Sequence, residues 1–305
     1  MLIDGHHHIS MYTKHAKQNV IFYRDYLGLR FVKKTVNQDS HDMYHLFYGD
    51  TTGSPGTELT FEMPYLGHTY RGTNAITKIG LLIEHEQSLD YWKDRFKQLG
   101  VPHGDVLTYH GRLALPFEDP DGLQLQLIVN QDEQLPPFWQ KWEKSPVPLE
   151  HHILGMGPVE LTVQYLDKTK DVLTTLLGYS VITANETESI FQSVRGAPYS
   201  EIVVKQLDGV KAKPGRGSVH HLAIRVKNKE ELEKWDERIK AYGLRTTGVI
   251  DRHYFHSLYF RDLNGIHYEL ATDGPGFNVD ELGTTLSLPP FLEDKREEIE
   301  ATLKP

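Results

Sequence analysis

Hydrophobic positions along the chain alternate between two periods. Four segments place apolar residues three and four apart and then meet a glycine, as an amphipathic helix with a left-handed cap does. They are "NVIFYRDYLG", "SLDYWKDRFKQLG", "KDVLTTLLG" and "ELEKWDERIKAYG", closing at Gly28, Gly100, Gly178 and Gly243. Before each stands a run with period-two alternation: "HHISMYT", "KIGLLIE", "VELTVQY" and "HHLAIRV". After each come further β-rich runs, such as "LRFVKKTVN", "MYHLFYGD" and "TELTFEM", separated by turn formers such as "TTGSPGT", "EDPDG" and "RDLNG". The pattern predicts four βαβββ modules, an α+β chain built on curved sheets.

Two modules match more closely. Counting back from the cap glycine, Leu99, Phe96, Trp92 and Leu89 occupy the same helix positions as Tyr242, Ile239, Trp235 and Leu232. This alternation divides the chain into two pairs of modules, residues 1–135 and 151–275. A Pro- and charge-rich linker, "DEQLPPFWQKWEKSPVPLEHH", lies between them. The tail, 276–305, predicts a proline stop and a short exposed helix.

Strand parity then singles out side chains. In "HHLAIRV", Leu222, Ile224 and Val226 share the face that packs on a helix, and His220 has their parity. His221 points the other way. In "SLYFRD" and "GIHYELAT", Tyr259 and Glu269 also oppose the apolar face. "HHIS" at the start of the chain lines up with "HHLA", matching His7 with His220 and His8 with His221. His8, His221 and Glu269 thus share one concave face. Two imidazoles and a carboxylate are the facial ligand set of a non-haem iron site, which leaves positions open for a chelating substrate and O2. A one-residue slip in register at either pair puts the first histidine at the metal instead.

Composition narrows the chemistry. The chain has 305 residues, 17 of them His and none of them Cys, so a metal here must take imidazole and oxygen ligands. The net charge of −9 and the lack of a basic patch argue against a nucleic-acid partner. No apolar run is long enough to span a bilayer. The N-terminus has no basic and apolar leader, so the expected location is the cytoplasm. The oligomeric state is left open, a homo-oligomer included.

The stretches "FYRDYLGLRFVKKTVN", "HHIS", "HHLA" and "DRHYFHSLYFRDLNGIHYELATD" resemble the vicinal oxygen chelate superfamily, which includes glyoxalase, bleomycin-resistance proteins and extradiol dioxygenases. Within it the chain is most similar to ring-cleaving dioxygenases of hydroquinones and catechols. The resemblance implies half-barrels of paired modules, with modules 1 and 4 forming a metal cup. It implies Fe(II), with Mn(II) compatible, on His8, His221 and Glu269, and an aromatic diol and O2 as reactants. It also implies that Tyr259, ten residues before Glu269, bonds a substrate oxygen and that Arg252 lies near the substrate. His7 and His220 then orient the ligand imidazoles or line the pocket.

Two rival readings follow from the same residues. If Glu62 in "TELTFEM" aligns with Glu269, a fourth ligand makes the site a glyoxalase-type isomerase or lyase. A non-catalytic module that sequesters aromatic compounds would need no metal at all.

Overall fold

A computed structural model of the chain describes residues 1–303 other than 65, 132 and 278–282. The four modules form as expected. Module 1 runs β1 (His6–Tyr12), α1 (Ala16–Val20), β2 (Arg30–Val36), β3 (Tyr44–Gly49) and β4 (Glu58–Glu62). Module 2 runs β5 (Ala75–Ile83), α2 (Gln87–Leu99), β6 (Leu107–Tyr109), β7 (Arg112–Glu118) and β8 (Gln124–Val129). Module 3 runs β9 (Ile153–Val163), α3 (Leu166–Asp171), β10 (Ser180–Ala184), β11 (Glu188–Gln192) and β12 (Glu201–Gln206). Module 4 runs β13 (Val219–Val226), α4 (Lys229–Tyr242), β14 (Ile250–Asp251), β15 (Phe255–Arg261) and β16 (His267–Pro275).

Modules 1 and 4 share a nine-stranded sheet, and modules 2 and 3 share an eight-stranded one. Within each module the first and last strands pair in parallel. The modules meet antiparallel, β1 on β13 and β5 on β9. The apolar parity of the central strands (Ile9, Met11, Leu222, Ile224) joins the buried helix faces in one core, with Trp92 and Trp235 at its centre. Between the sheets, the loops around residues 67–73 and 210–217 pair with each other. Their backbones approach so closely that a Cβ on Gly72 would lie 2.2 Å from the Val210 carbonyl oxygen.

Two helices differ from expectation. α2 and α4 end at Gly100 and Gly243 in the left-handed conformation, φ 68° and 98°. α1 and α3 instead widen into a π-type turn, where the Leu27 and Leu177 amides reach back five residues to the Phe22 and Val172 carbonyls. Gly28 and Gly178, also left-handed as expected, follow that wider turn, so modules 1 and 3 lack the helix spacing shared by modules 2 and 4. The tail also differs: before its short helix α5 (Arg296–Thr302), a strand β17 (Gly283–Leu286) pairs with β2 and covers that sheet edge. α5 is not wholly exposed, because Ile299 is buried beside Val36, Leu288 and Leu292.

The β1–β13 seam carries two bulges. His6 and His8 face Ile224 and Ala223, so His7 is an extra residue in β1. Ser10 and Met11 face His221 and Val219, so His220 is an extra residue in β13. A bulge redirects the side chain it carries. Strand parity alone sends His220 toward the helix; the bulge returns it to the concave side. The β5–β9 seam is bulged too, with Thr77 in one irregularity and Gly157 in another where the first seam has histidines.

Burial and capping give a stability ranking. Trp235→Ala empties the space under α4 and is expected to cost about 3–5 kcal/mol. Asn228→Ala removes only the bond its side chain accepts from the Glu231 amide and is expected to cost about 1 kcal/mol. Urea unfolding midpoints of the two variants check the order; equal losses contradict the packing described.

Candidate metal centre

One cross-strand row builds the floor of the cup. Glu58 on β4, His8 on β1, Ala223 on β13, Glu269 on β16 and Tyr259 on β15 stand side by side. Ala223 matters by being small, since a methyl between His8 and Glu269 leaves room for the groups to converge. His221, two residues before Ala223 on the same face, leans into that space.

The three donor atoms meet. His8 Nε2 lies 3.2 Å from His221 Nε2 and 3.1 Å from Glu269 Oε2, and His221 Nε2 lies 2.8 Å from the same oxygen. Glu269 Oε1 accepts a hydrogen bond from Ser257. Oε2 is fully buried with no donor aimed at it. An ion about 2.1 Å from each of three mutually perpendicular ligands requires donors about 3 Å apart. The set fits a divalent cation.

The proton positions also fit. The Thr272 carbonyl can only accept, so His7 Nε2 donates to it at 3.1 Å. Burial lowers the His7 pKa to about 3, so the ring is neutral and its Nδ1 is bare. That Nδ1 lies 3.0 Å from His8 Nδ1 and takes its proton, which leaves His8 Nε2 a lone pair facing the cluster. His220 Nδ1 likewise stands 3.0 Å from His221 Nδ1, so the second pair repeats the geometry of the first. Burial pushes the His220 pKa down to about 2, with His221 adding to the effect.

Among the described residues two other groups bring possible ligands together, His7–His8–Glu58 and His220–His221–His267. In the first, both His7 nitrogens are already engaged, and burial drives Glu58 well above the carboxylate range. The second has no carboxylate, and His267 Nδ1 is held by the Arg261 guanidinium at 3.2 Å.

Glu62 stands apart from the triad. With His8 matched to His221, the position equivalent to Glu269 is Thr60, which pairs with Ser10 as Glu269 pairs with Ala223. The alignment of Glu62 with Glu269 is off by two residues. Glu62 belongs to the cavity wall, 3.9 Å from His220 Nδ1, and burial raises its pKa to about 7.

A cavity of about 240 Å³ opens on His8 and His221. Phe47, Tyr254 and Phe255 give it an apolar wall. The Tyr259 ring stands edge-on to His221 at 5.5 Å, and burial and then Glu269 raise its pKa, keeping the phenol protonated. The Arg252 guanidinium lies over the Tyr259 ring and forms a two-pronged ion pair with Asp39 at 2.9 and 3.1 Å. Sequence reading missed that partner, which comes from the other end of the chain. It also missed His45. Its ring packs on Phe47, its Nε2 is buried with no partner, and burial lowers its pKa to about 3. The signal was present: in "YHLFYG" it opposes the buried Leu46 and Tyr48. The Ser10 and Thr60 hydroxyls and Glu58 Oε2 are likewise buried on the cup face, without partners among the described residues.

Comparison with known proteins places this architecture. The model of the Glyoxalase/Bleomycin resistance protein/Dioxygenase superfamily matches residues 5–127 and 151–270. Bacillus subtilis MhqA, which carries the name of a ring-cleaving dioxygenase, is 44% identical over all of this chain and 99% of its own length. The chlorohydroquinone/hydroquinone 1,2-dioxygenase of Sphingobium indicum is 28% identical over 99% of this chain and 96% of its own. A crystal structure of a Bacillus subtilis protein described as a dioxygenase superposes with a TM-score of 0.91 at 31% identity, covering 100% of this chain and 97% of that one. Maize glyoxalase I shares the fold, with a TM-score of 0.66 at 15% identity over 88% of this chain and 92% of its own. The chain belongs to the glyoxalase/bleomycin resistance protein/dioxygenase superfamily and has its vicinal oxygen chelate fold.

Proposed function

We propose that the protein is an Fe(II)-dependent dioxygenase that opens the ring of a hydroquinone- or catechol-like diol with O2. The observation that carries this reading is the convergence of two bare imidazole nitrogens and one carboxylate oxygen at the floor of a ring-sized cavity. His8, His221 and Glu269 would hold the ion; Mn(II) suits the same donors. When bound, a redox-active divalent ion supplies the electron path between diol and O2 that the side chains lack. The names of the similar Bacillus and Sphingobium proteins support the diol class.

The other residues have separable tasks. Phe47, Tyr254 and Phe255 bind the ring and keep water away from it. The Tyr259 phenol, held protonated, donates a hydrogen bond to a substrate oxygen and so stabilises charge developing there. Arg252, fixed by Asp39, adds a permanent positive charge beside that oxygen. His45 offers a neutral imidazole nitrogen to a hydroxyl of the bound ring. His7 and His220 keep the lone pairs of His8 and His221 aimed at the ion. The isomerase reading requires Glu62 as a ligand, and Glu62 lies outside the convergent set.

Three outcomes follow. Protein loaded anaerobically with Fe(II) consumes one O2 per hydroquinone or catechol opened, and Glu269→Gln abolishes both metal retention and uptake. Absence of ring opening across such diols in an oxygen-electrode assay sinks the proposal. His7→Leu weakens Fe(II) binding by about 10–100-fold while the fold persists, as metal titration and circular dichroism would show; unchanged affinity contradicts the proton arrangement. Glu62 has a raised folded pKa, so folding disfavours its ionised form. The wild type therefore loses stability as pH rises from about 4.5 to about 7, and Glu62→Gln does not. Denaturation of the metal-free proteins at pH 4.5 and 8 measures this; parallel pH curves contradict it.

A further inference from the structure

A second cavity lies against the back of the metal cup. It occupies about 830 Å³ between the two sheets and shares two walls with the cup, His220 and His267. Its character differs. Arg71, Lys211, Lys213 and Arg261 line it against one acid, Glu160. Glu160 is already bound by Lys205 at 2.8 Å, and Arg71 by Glu118 at 2.9 Å. Lys211, Lys213 and Arg261 have no carboxylate within 4.0 Å among the described residues, in a chain whose net charge is −9. Such a concentration of unpaired cations in an acidic protein attracts anions.

The partition between the cavities is one imidazole thick. His267 lies 5.6 Å from His221 by ring centroids, and its Nδ1 takes a hydrogen bond from Arg261 on the groove side. His220 stacks on Tyr12, which faces the groove, and meets His267 edge-on at 4.9 Å. An anion seated on Arg261 therefore touches the same ring that packs beside the ligand His221.

We infer that this groove is a carboxylate-binding site that receives the ring-opened product. The assignment to product rests on the dioxygenase reading. In that reaction a ring C–C bond breaks, both atoms of O2 enter the product, and the hydroxyl-bearing carbon at the break becomes a carboxylic acid. That acid ionises at neutral pH, so a neutral substrate becomes an anion. The product thus carries a charge that the substrate lacks, and Lys211, Lys213 and Arg261 offer it cations.

Calorimetric titration of the Fe(II)-loaded full chain with cis,cis-muconate, a six-carbon unsaturated dicarboxylate, tests the site. Lys211→Gln/Lys213→Gln, altered only at exposed positions, should weaken muconate binding by about tenfold or more and leave hydroquinone binding unchanged. Muconate should inhibit O2 uptake non-competitively toward the diol. Unchanged muconate affinity in the double variant, or displacement of muconate by hydroquinone at a single site, overturns the inference. The two readings fail separately: if no diol is oxidised yet muconate binding still needs the two lysines, the carboxylate site stands and the ring-cleavage reading falls.

Discussion

The structure depends on the antiparallel seam between β1 and β13. These strands come from opposite ends of the chain, and each carries one bulge. The seam pairs His8 with Ala223 and His221 with Ser10, so the two candidate ligand histidines approach from either side of a local two-fold. The bulges then turn His7 and His220, which regular strands would send away, onto the back of each ligand ring. Without the seam each of these modules has a single candidate ligand histidine and the cluster does not form. Without the bulges the candidate ligand rings lose the imidazoles that meet their Nδ1 atoms.

Electrostatics at the cup follows from that geometry. Burial keeps His7, His45 and His220 neutral, so the only strong charge at the floor is Glu269. A lone buried carboxylate faced by two bare imidazole nitrogens is poorly stabilised without a cation, because each partner offers an electron pair rather than a proton. The donor set thus supplies its own argument for a metal. The second sheet, with the same topology, has Thr77 and Gly157 at its seam and, among the described residues, brings no such cluster together there. Its contribution is the far wall of the cationic groove, through Glu160, Thr162 and the loops that cross between the sheets.

Much of this was legible in the sequence because two periodicities are sharply written. Capped amphipathic helices and alternating strands fixed four modules, and the repeated His-His pair located the seam. The parity argument reached His8, His221 and Glu269 because no bulge intervenes between His8 and Ser10 or between His221 and Ala223. It went astray at His220, where an extra residue breaks the period of two. The Glu62 alignment failed because similar strands, "TELTFEM" and "IHYELAT", can be slid by two residues without changing face. Only the pairing partners, Thr60 with Ser10 and Glu269 with Ala223, settle the register. The Asp39–Arg252 bridge and the shared wall of the two cavities are long-range facts that no local pattern encodes.

The most direct measurement is an anomalous difference map at the iron edge from crystals grown and loaded with Fe(II) without oxygen. The arrangement described requires one peak, about 2.1 Å from His8 Nε2, His221 Nε2 and Glu269 Oε2. A peak held by Glu62, by His7 and Glu58, or by His220 and His267 would contradict it.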